Sequence, residues 1–212
     1  MPAYDLEEQE QIAAIKDWWR RYGNYVTTGV TVACVLIIGW QGWRYYHNSQ
    51  AAQAGVLYSA IEQGLAKNDP AAIKDATDQL TAKYSGTGYA PRGALLAAKV
   101  AFEAGDRATA KLRLQWVIDN AKEDELRQLA RLRLASVLLD EKQYDQALQT
   151  LDAKHDDAID GLYADLRGDI LTAAGKSAEA RAAYQIALTK LDAKSPYRSY
   201  VQVKLDGLGG PQ

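Results

Sequence analysis

Apolar positions follow two different patterns along this chain. From Val26 to Trp40 they run almost unbroken, Val-Thr-Thr-Gly-Val-Thr-Val-Ala-Cys-Val-Leu-Ile-Ile-Gly-Trp, within the 22 consecutive uncharged residues that separate Arg21 from Arg44. Past Asn48 they recur every three or four residues among polar ones, the period of a helix with one buried stripe. The first pattern predicts a helix that spans a membrane, the second a domain of amphipathic helices, and the chain reads as all-α.

At about 1.5 Å of rise per residue, Tyr25 to Trp43 covers roughly 28 Å, close to the ~30 Å hydrocarbon core of a bilayer. Trp18, Trp19, Tyr22 and Tyr25 precede the run and Trp40, Trp43, Tyr45 and Tyr46 follow it. Amphipathic rings favour the headgroup level on both sides. A cleaved signal peptide is the rival reading, with Ala52-Gln53-Ala54 as its small-x-small site. Against it stand Asp5, Glu7, Glu8, Glu10 and Asp17 where a basic segment is required, and the separation of Trp43 from Ala54. An uncleaved anchor is therefore expected.

Lys16, Arg20 and Arg21 precede the span, and only Arg44 closely follows it. Because basic residues stay on the cytoplasmic side, the N-terminus is expected in the cytoplasm and the residues past Asn48 across the membrane. Ile12, Ile15, Trp19 and Tyr22 form one stripe of a short helix, suited to a membrane surface or to a cytoplasmic partner. The expected organisation is a cytoplasmic amphipathic segment (1–21), a transmembrane helix (22–45), a repeat domain (46–208) and a flexible tail (209–212).

Within 46–208, four stretches superimpose on Ala76, Ala110, Ala147 and Ala180. Twelve residues earlier stand Gly64, Ala98, Ala135 and Gly168, all small; four residues later stand Leu80, Leu114, Leu151 and Tyr184, all large. This resembles the tetratricopeptide repeat, a helix-turn-helix unit of about 34 residues whose two helices cross at small side chains. Gly105 and Gly175 fall at the turn between helices, where positive φ costs glycine least. Asp69 and Pro70 read as N-cap and first turn of a helix. Three extra residues between the second and third units are expected in a linker around Asp119 to Asp124. Tyr197, Val201, Leu205 and Leu208 share one stripe of a final capping helix.

Stacked repeats leave a concave groove lined by the first helix of each pair, a surface that binds peptides or partner helices. By the register its candidate residues are Arg92, Leu95, Lys99, Phe102 and Glu103 in the second unit, Leu132, Ser136 and Leu139 in the third, and Asp165 and Asp169 in the fourth. For each, solvated surface or packing between repeats is the competing use. Trp116, on a second helix, is expected to pack.

Composition narrows the chemistry. A net charge of -2 leaves no broad basic field for nucleic acid. One Cys and two His build neither an intrachain disulfide nor a structural zinc site. Cys34 sits mid-span, where a thiol behaves as a small apolar group. Neither a phosphate loop nor a Gly-x-Gly-x-x-Gly fingerprint occurs, since Gly86-Thr87-Gly88 lacks the third glycine. Lys154-His155-Asp156-Asp157 is the densest polar cluster, but with Asp160 it lacks the closing Glu of a calcium loop. No cofactor, metal or enzyme activity is expected; His155 with its neighbouring acids is the one candidate for chemistry.

The acidic start Asp-Leu-Glu-Glu-Gln-Glu-Gln, the segment Ile15-Lys16-Asp17-Trp18-Trp19, the span ending Gly-Trp-Gln-Gly-Trp and the Ala-rich repeats together resemble the YfgM family of ancillary SecYEG translocon subunits. The resemblance runs from about Tyr4 to Leu208. It implies a single-pass inner-membrane protein of Gram-negative bacteria with its repeats in the periplasm. It also implies a non-enzymatic role beside the SecYEG translocon, passing newly exported client proteins to periplasmic chaperones together with the prolyl isomerase PpiD. The alternative it implies is regulation of an envelope stress response, through a cytoplasmic response regulator and the N-terminal segment.

Overall fold

Helix-favouring sequence and well-placed stop signals account for what forms. The computed structural model describes residues 3–209, with side chains from Glu8 onward, and its described residues contain helices and no strand. Side chains of the acidic start before Glu8 lie outside the described residues, as does the expected tail 209–212 apart from Gly209. Two compact units divide the chain, Met1–Gln50 and Ala51–Gln212.

The first unit is the N-terminal part of helix α1 (Ala3–Lys67). This helix is long and apolar enough to cross a membrane, with a mean hydropathy of 1.4 over a stretch of which none is buried against protein. Val35, Leu36, Ile37, Ile38, Trp40 and Trp43 are all exposed. Polar groups in the run are satisfied within it: the hydroxyls of Thr27, Thr28 and Thr31 donate to the carbonyls of Gly23, Asn24 and Thr27 at 2.9, 2.8 and 2.8 Å. A threonine whose hydroxyl bonds its own helix presents methyl and backbone to lipid, which is how a span tolerates it.

The second unit contains the end of α1, then α2 (Pro70–Lys83), α3 (Tyr89–Glu103), α4 (Arg107–Asn120), α5 (Asp124–Asp140), α6 (Tyr144–Leu151), α7 (Asp160–Ala173), α8 (Ser177–Lys190) and α9 (Tyr197–Gly207). A single 3-10 turn, Asp157–Ile159, precedes α7. Asp69 caps α2 by accepting from the amides of Ala71 and Ala72, with Pro70 at the first helical position. Ala54, from the small-x-small triplet, is fully buried within α1.

Burial follows the repeat register. Ala76, Ala110, Ala147 and Ala180 are buried, as are Leu80, Leu114, Leu151 and Tyr184. The small positions have a steric reason: a Cβ on Gly64 would stand 2.7 Å from Ile73, and one on Gly168 would enter the Tyr184 ring. Three core clusters succeed one another along the chain, with Trp116 packed against the first two and Leu148 against the last two. Each unit thus meets only its neighbours, as in a solenoid. The stripe of α9 docks as expected, with Val201 fully buried and Leu205 and Leu208 packed on the last cluster.

One detail differs from the sequence reading. The link between α4 and α5 is short, residues 121–123, so the longer repeat there is not a longer linker. The extra residues are helical: α5 has 17 residues against 15 in α3 and 14 in α7. Leu126 and Leu129 give the first turns of α5 apolar groups to pack on the core, so helix outcompetes loop there. The turn between α5 and α6 puts Lys142 at φ 61, where the second and fourth units use Gly105 (φ 82) and Gly175 (φ 75) and the first uses Asn68 (φ 51).

Candidate protein-binding groove

Register places α3, α5 and α7 as the first helices of three successive pairs, and α3 packs on α5 and α5 on α7 across the unit boundaries. All ten groove candidates lie on these helices, but the structure distributes them among different surroundings.

Between α3 and α5 lies a cleft of about 290 Å3. Ala98, Leu114 and Val137 are its buried lining; Phe102, 38% exposed, and the polar Lys99, Arg133 and Ser136 complete it. Three candidates, Lys99, Phe102 and Ser136, therefore meet at one site. Glu103 stands beside it, its carboxylate 3.7 Å from the Lys99 ammonium one helical turn away. Leu95 is buried in the core, and its carbonyl accepts from the Arg133 guanidinium at 3.4 Å.

Arg92 lies elsewhere, paired with Glu123 at 2.8 Å and donating to the Gly88 carbonyl at 2.6 Å. Leu139 is half-buried against the core. Leu132 lines a second cleft, about 660 Å3, between the first turns of α5 and the segment leading into α7. That cleft mixes charges, with Asp124, Glu125 and Asp156 beside Arg127, Arg131 and Lys154. His155 closes one side: its ring stacks on Tyr163 at 4.0 Å, and Nε2 lies 3.1 Å from Asp160 Oδ1. A hydrogen bond from Lys190 at 2.7 Å, with a smaller pull from His155, holds the Asp160 carboxyl below its usual range. Among the described residues no group of three His, Cys, Asp or Glu side chains is arranged to hold a metal ion.

Asp165 and Asp169 are engaged from within the chain. Asp165 is 2% exposed. Lys204 of α9 donates to both its oxygens, at 3.0 and 2.9 Å, and to Asp169 at 2.7 Å. The Tyr197 hydroxyl donates to Asp165 at 2.6 Å and that of Tyr184 to Asp169 at 2.8 Å. Burial alone would push the Lys204 ammonium down, but hydrogen bonds and charge from Asp169 and Asp165 outweigh it and leave its pKa raised. Burial first, then the neighbouring carboxylates, pushes both tyrosine hydroxyls well up. The fourth unit thus spends these carboxylates on holding its cap.

The register missed Arg133, Tyr197 and Lys204. Arg133 carried a signal, a long cation set between Leu132 and Leu134 on a first helix. Lys204 carried none, because its partners lie 35 and 39 residues away.

Residues 16–210 match the model of a family described as a tetratricopeptide repeat-like domain. An ancillary SecYEG translocon subunit of Neisseria gonorrhoeae is 32% identical, over 97% of this chain and 99% of its own length. A protein of the same name from Aggregatibacter actinomycetemcomitans is 30% identical, over 97% of this chain and all of its own. The fold is similar to a solved structure titled MamA 41-end from Desulfovibrio magneticus RS-1. Its TM-score is 0.53 at 19% identity, over 72% of this chain and 85% of that one.

Proposed function

Because the chain belongs to the YfgM family of ancillary SecYEG translocon subunits, we propose that it is a non-enzymatic scaffold of the inner membrane, anchored by one span and bound to the SecYEG channel. The observation that carries this reading is full-length similarity to proteins so named, joined to an exposed apolar helix and a repeat solenoid. Solenoids present broad surfaces for protein partners, and a translocon supplies one at the place where the span would hold the domain.

The finer reading follows from this. Excess Lys and Arg ahead of the span orients the N-terminus to the cytoplasm and the repeats to the periplasm. There the repeats would help newly exported clients reach periplasmic chaperones, with PpiD as partner. Exposed Ile12, Ile15, Trp19 and Tyr22 favour a second role for the cytoplasmic segment, docking a response regulator of an envelope stress pathway.

The test is affinity purification in mild detergent with mass spectrometry, comparing the full chain with a variant whose residues 22–43 are replaced by an unrelated spanning helix. Recovery of channel subunits and a periplasmic folding factor with the native chain supports the reading, and retention after the exchange assigns recognition to the repeats. Recovery of neither, while other translocon complexes survive, refutes it.

A further inference from the structure

The α3–α5 cleft has an uneven charge. Its floor is apolar, from Ala98, Leu114 and Val137, and Phe102 offers a half-exposed ring. Two cations line it and no carboxylate does. The Lys99 ammonium has a loose partner in Glu103. Arg133, among the described residues, makes no ion pair and donates only to the Leu95 carbonyl, at 3.4 Å. Elsewhere on this solenoid Arg92 pairs with Glu123, Arg107 with Asp140, Arg113 with Asp78, Arg127 with Asp124 and Arg167 with Asp152. Arg181 and Arg198 donate to helix-end carbonyls, and Arg131, which like Arg133 makes no ion pair among the described residues, lines the mixed-charge cleft beside Asp124, Glu125 and Asp156. An unmatched guanidinium beside an apolar cavity has the free donors to hold a carboxylate bidentately, while the cavity accepts a side chain next to it.

We infer that this cleft binds a peptide segment in which a large apolar residue is flanked by acidic ones, the apolar side chain entering between α3 and α5 and a carboxylate meeting Arg133. The inference rests on the reading of the repeats as a protein-binding scaffold and names the chemistry of one partner segment. Phe102 supplies an aromatic face for the apolar group, and the exposed Ser136 leaves the approach uncharged. A basic segment finds two like charges there and is excluded, so the site discriminates by repulsion as well as by attraction.

The test uses the full chain in detergent and three short labelled Gly-Ser peptides, carrying Glu-Phe-Glu, Lys-Phe-Lys or Glu-Ser-Glu, with binding followed by fluorescence anisotropy. The Glu-Phe-Glu peptide is expected to bind at least about tenfold more tightly than either other peptide, the effect of one charge-assisted bond. Arg133→Gln and, independently, Ser136→Glu should each weaken it about tenfold with unchanged circular dichroism and melting, and Arg133→Lys should restore part of the loss. Equal binding of the three peptides, or variants indistinguishable from the native chain, overturns the inference. So does self-association that Ser136→Glu abolishes, which would place a second copy in the cleft. Recovery of channel subunits is measured in the same preparations. If it persists while the peptides are not distinguished, only the cleft assignment fails; if it is lost from the native chain, the proposed function fails.

Discussion

The Lys204 ammonium on the capping helix lies 2.9 Å from Oδ2 of Asp165, whose side chain is 3% exposed, and 2.7 Å from Oδ2 of Asp169. Among the described residues the hydrogen-bond donors to Asp165 come from α9, namely Lys204 and Tyr197. Removing one partner of a buried pair leaves the other charge uncompensated, at a cost of about 3–5 kcal/mol. Lys204→Met is therefore expected to lower unfolding stability by about 3 kcal/mol, the low end because the lysine keeps some contact with water. Lys74→Met, which breaks an exposed pair with Asp78, should cost under about 1 kcal/mol. Urea unfolding of both variants checks the contrast.

Alkaline pH should act on the same network. A lysine whose folded pKa is raised contributes stability that is whole below its unfolded value of 10.5 and is lost as pH rises through the folded one. Tyr184 and Tyr197, ordinarily at 10.0 and raised in the fold, push in the same direction, because the unfolded chain gives up those protons first. Melting temperature is expected to fall above about pH 10, with a shallower fall in Lys204→Met. Asp160, lowered by Lys190, contributes on the opposite side, and its share is lost as pH drops below 3.8 toward its folded value.

Gly168 meets the ring of Tyr184, which is buried and bonded to Asp169, so the ring has nowhere to retreat. Gly168→Ala should destabilise the chain by about 1–3 kcal/mol through overpacking, although alanine favours helix. A Cβ on Gly207 meets nothing within 4 Å, and Gly207→Ala should change stability by less than about 0.5 kcal/mol. Differential scanning calorimetry of the two variants distinguishes a register contact from a general effect on helix.

Lys142 takes the left-handed turn that glycine takes in the neighbouring units. A side chain there costs about 1–2 kcal/mol, and glycine recovers part of it after its own entropy loss. Lys142→Gly is expected to stabilise the chain by about 0.5–1 kcal/mol, measured by thermal melting. An unchanged or lower melting temperature would count against the strain.

Orientation should follow basic residues. With Lys16, Arg20 and Arg21 changed to Gln and lysines placed at Gln50 and Gln53, a reporter fused after Gln212 is expected to move from periplasmic to cytoplasmic activity. A reporter already cytoplasmic in the native chain would refute the assigned topology.

Much of this fold was readable because its contacts are local. The pair Gly168 and Tyr184, or Ala98 and Leu114, belongs to one helix-turn-helix, so the close approach of two helices fixes residue size at a constant spacing. Asp69 announced its helix because capping needs only neighbouring amides. What stayed hidden depends on tertiary placement. The ion pairs of Lys204 join residues a whole repeat apart, and Lys142 shows that a turn can be held by its flanking helices without its preferred residue. At the groove, periodicity brought Lys99, Phe102 and Ser136 to one cleft, yet it could not separate Leu95, on the same face, from the core. Nor could it tell that Asp165 and Asp169 would be taken by α9.

The central claim, an anchored scaffold bound to the channel, is tested most directly by reconstituting the full chain and SecYEG together in lipid nanodiscs and measuring fluorescence energy transfer between labels on each. Saturable transfer, competed by unlabelled full chain and not by an unrelated single-span protein, is the predicted result. Transfer no greater than that unrelated protein gives at the same density would contradict the account.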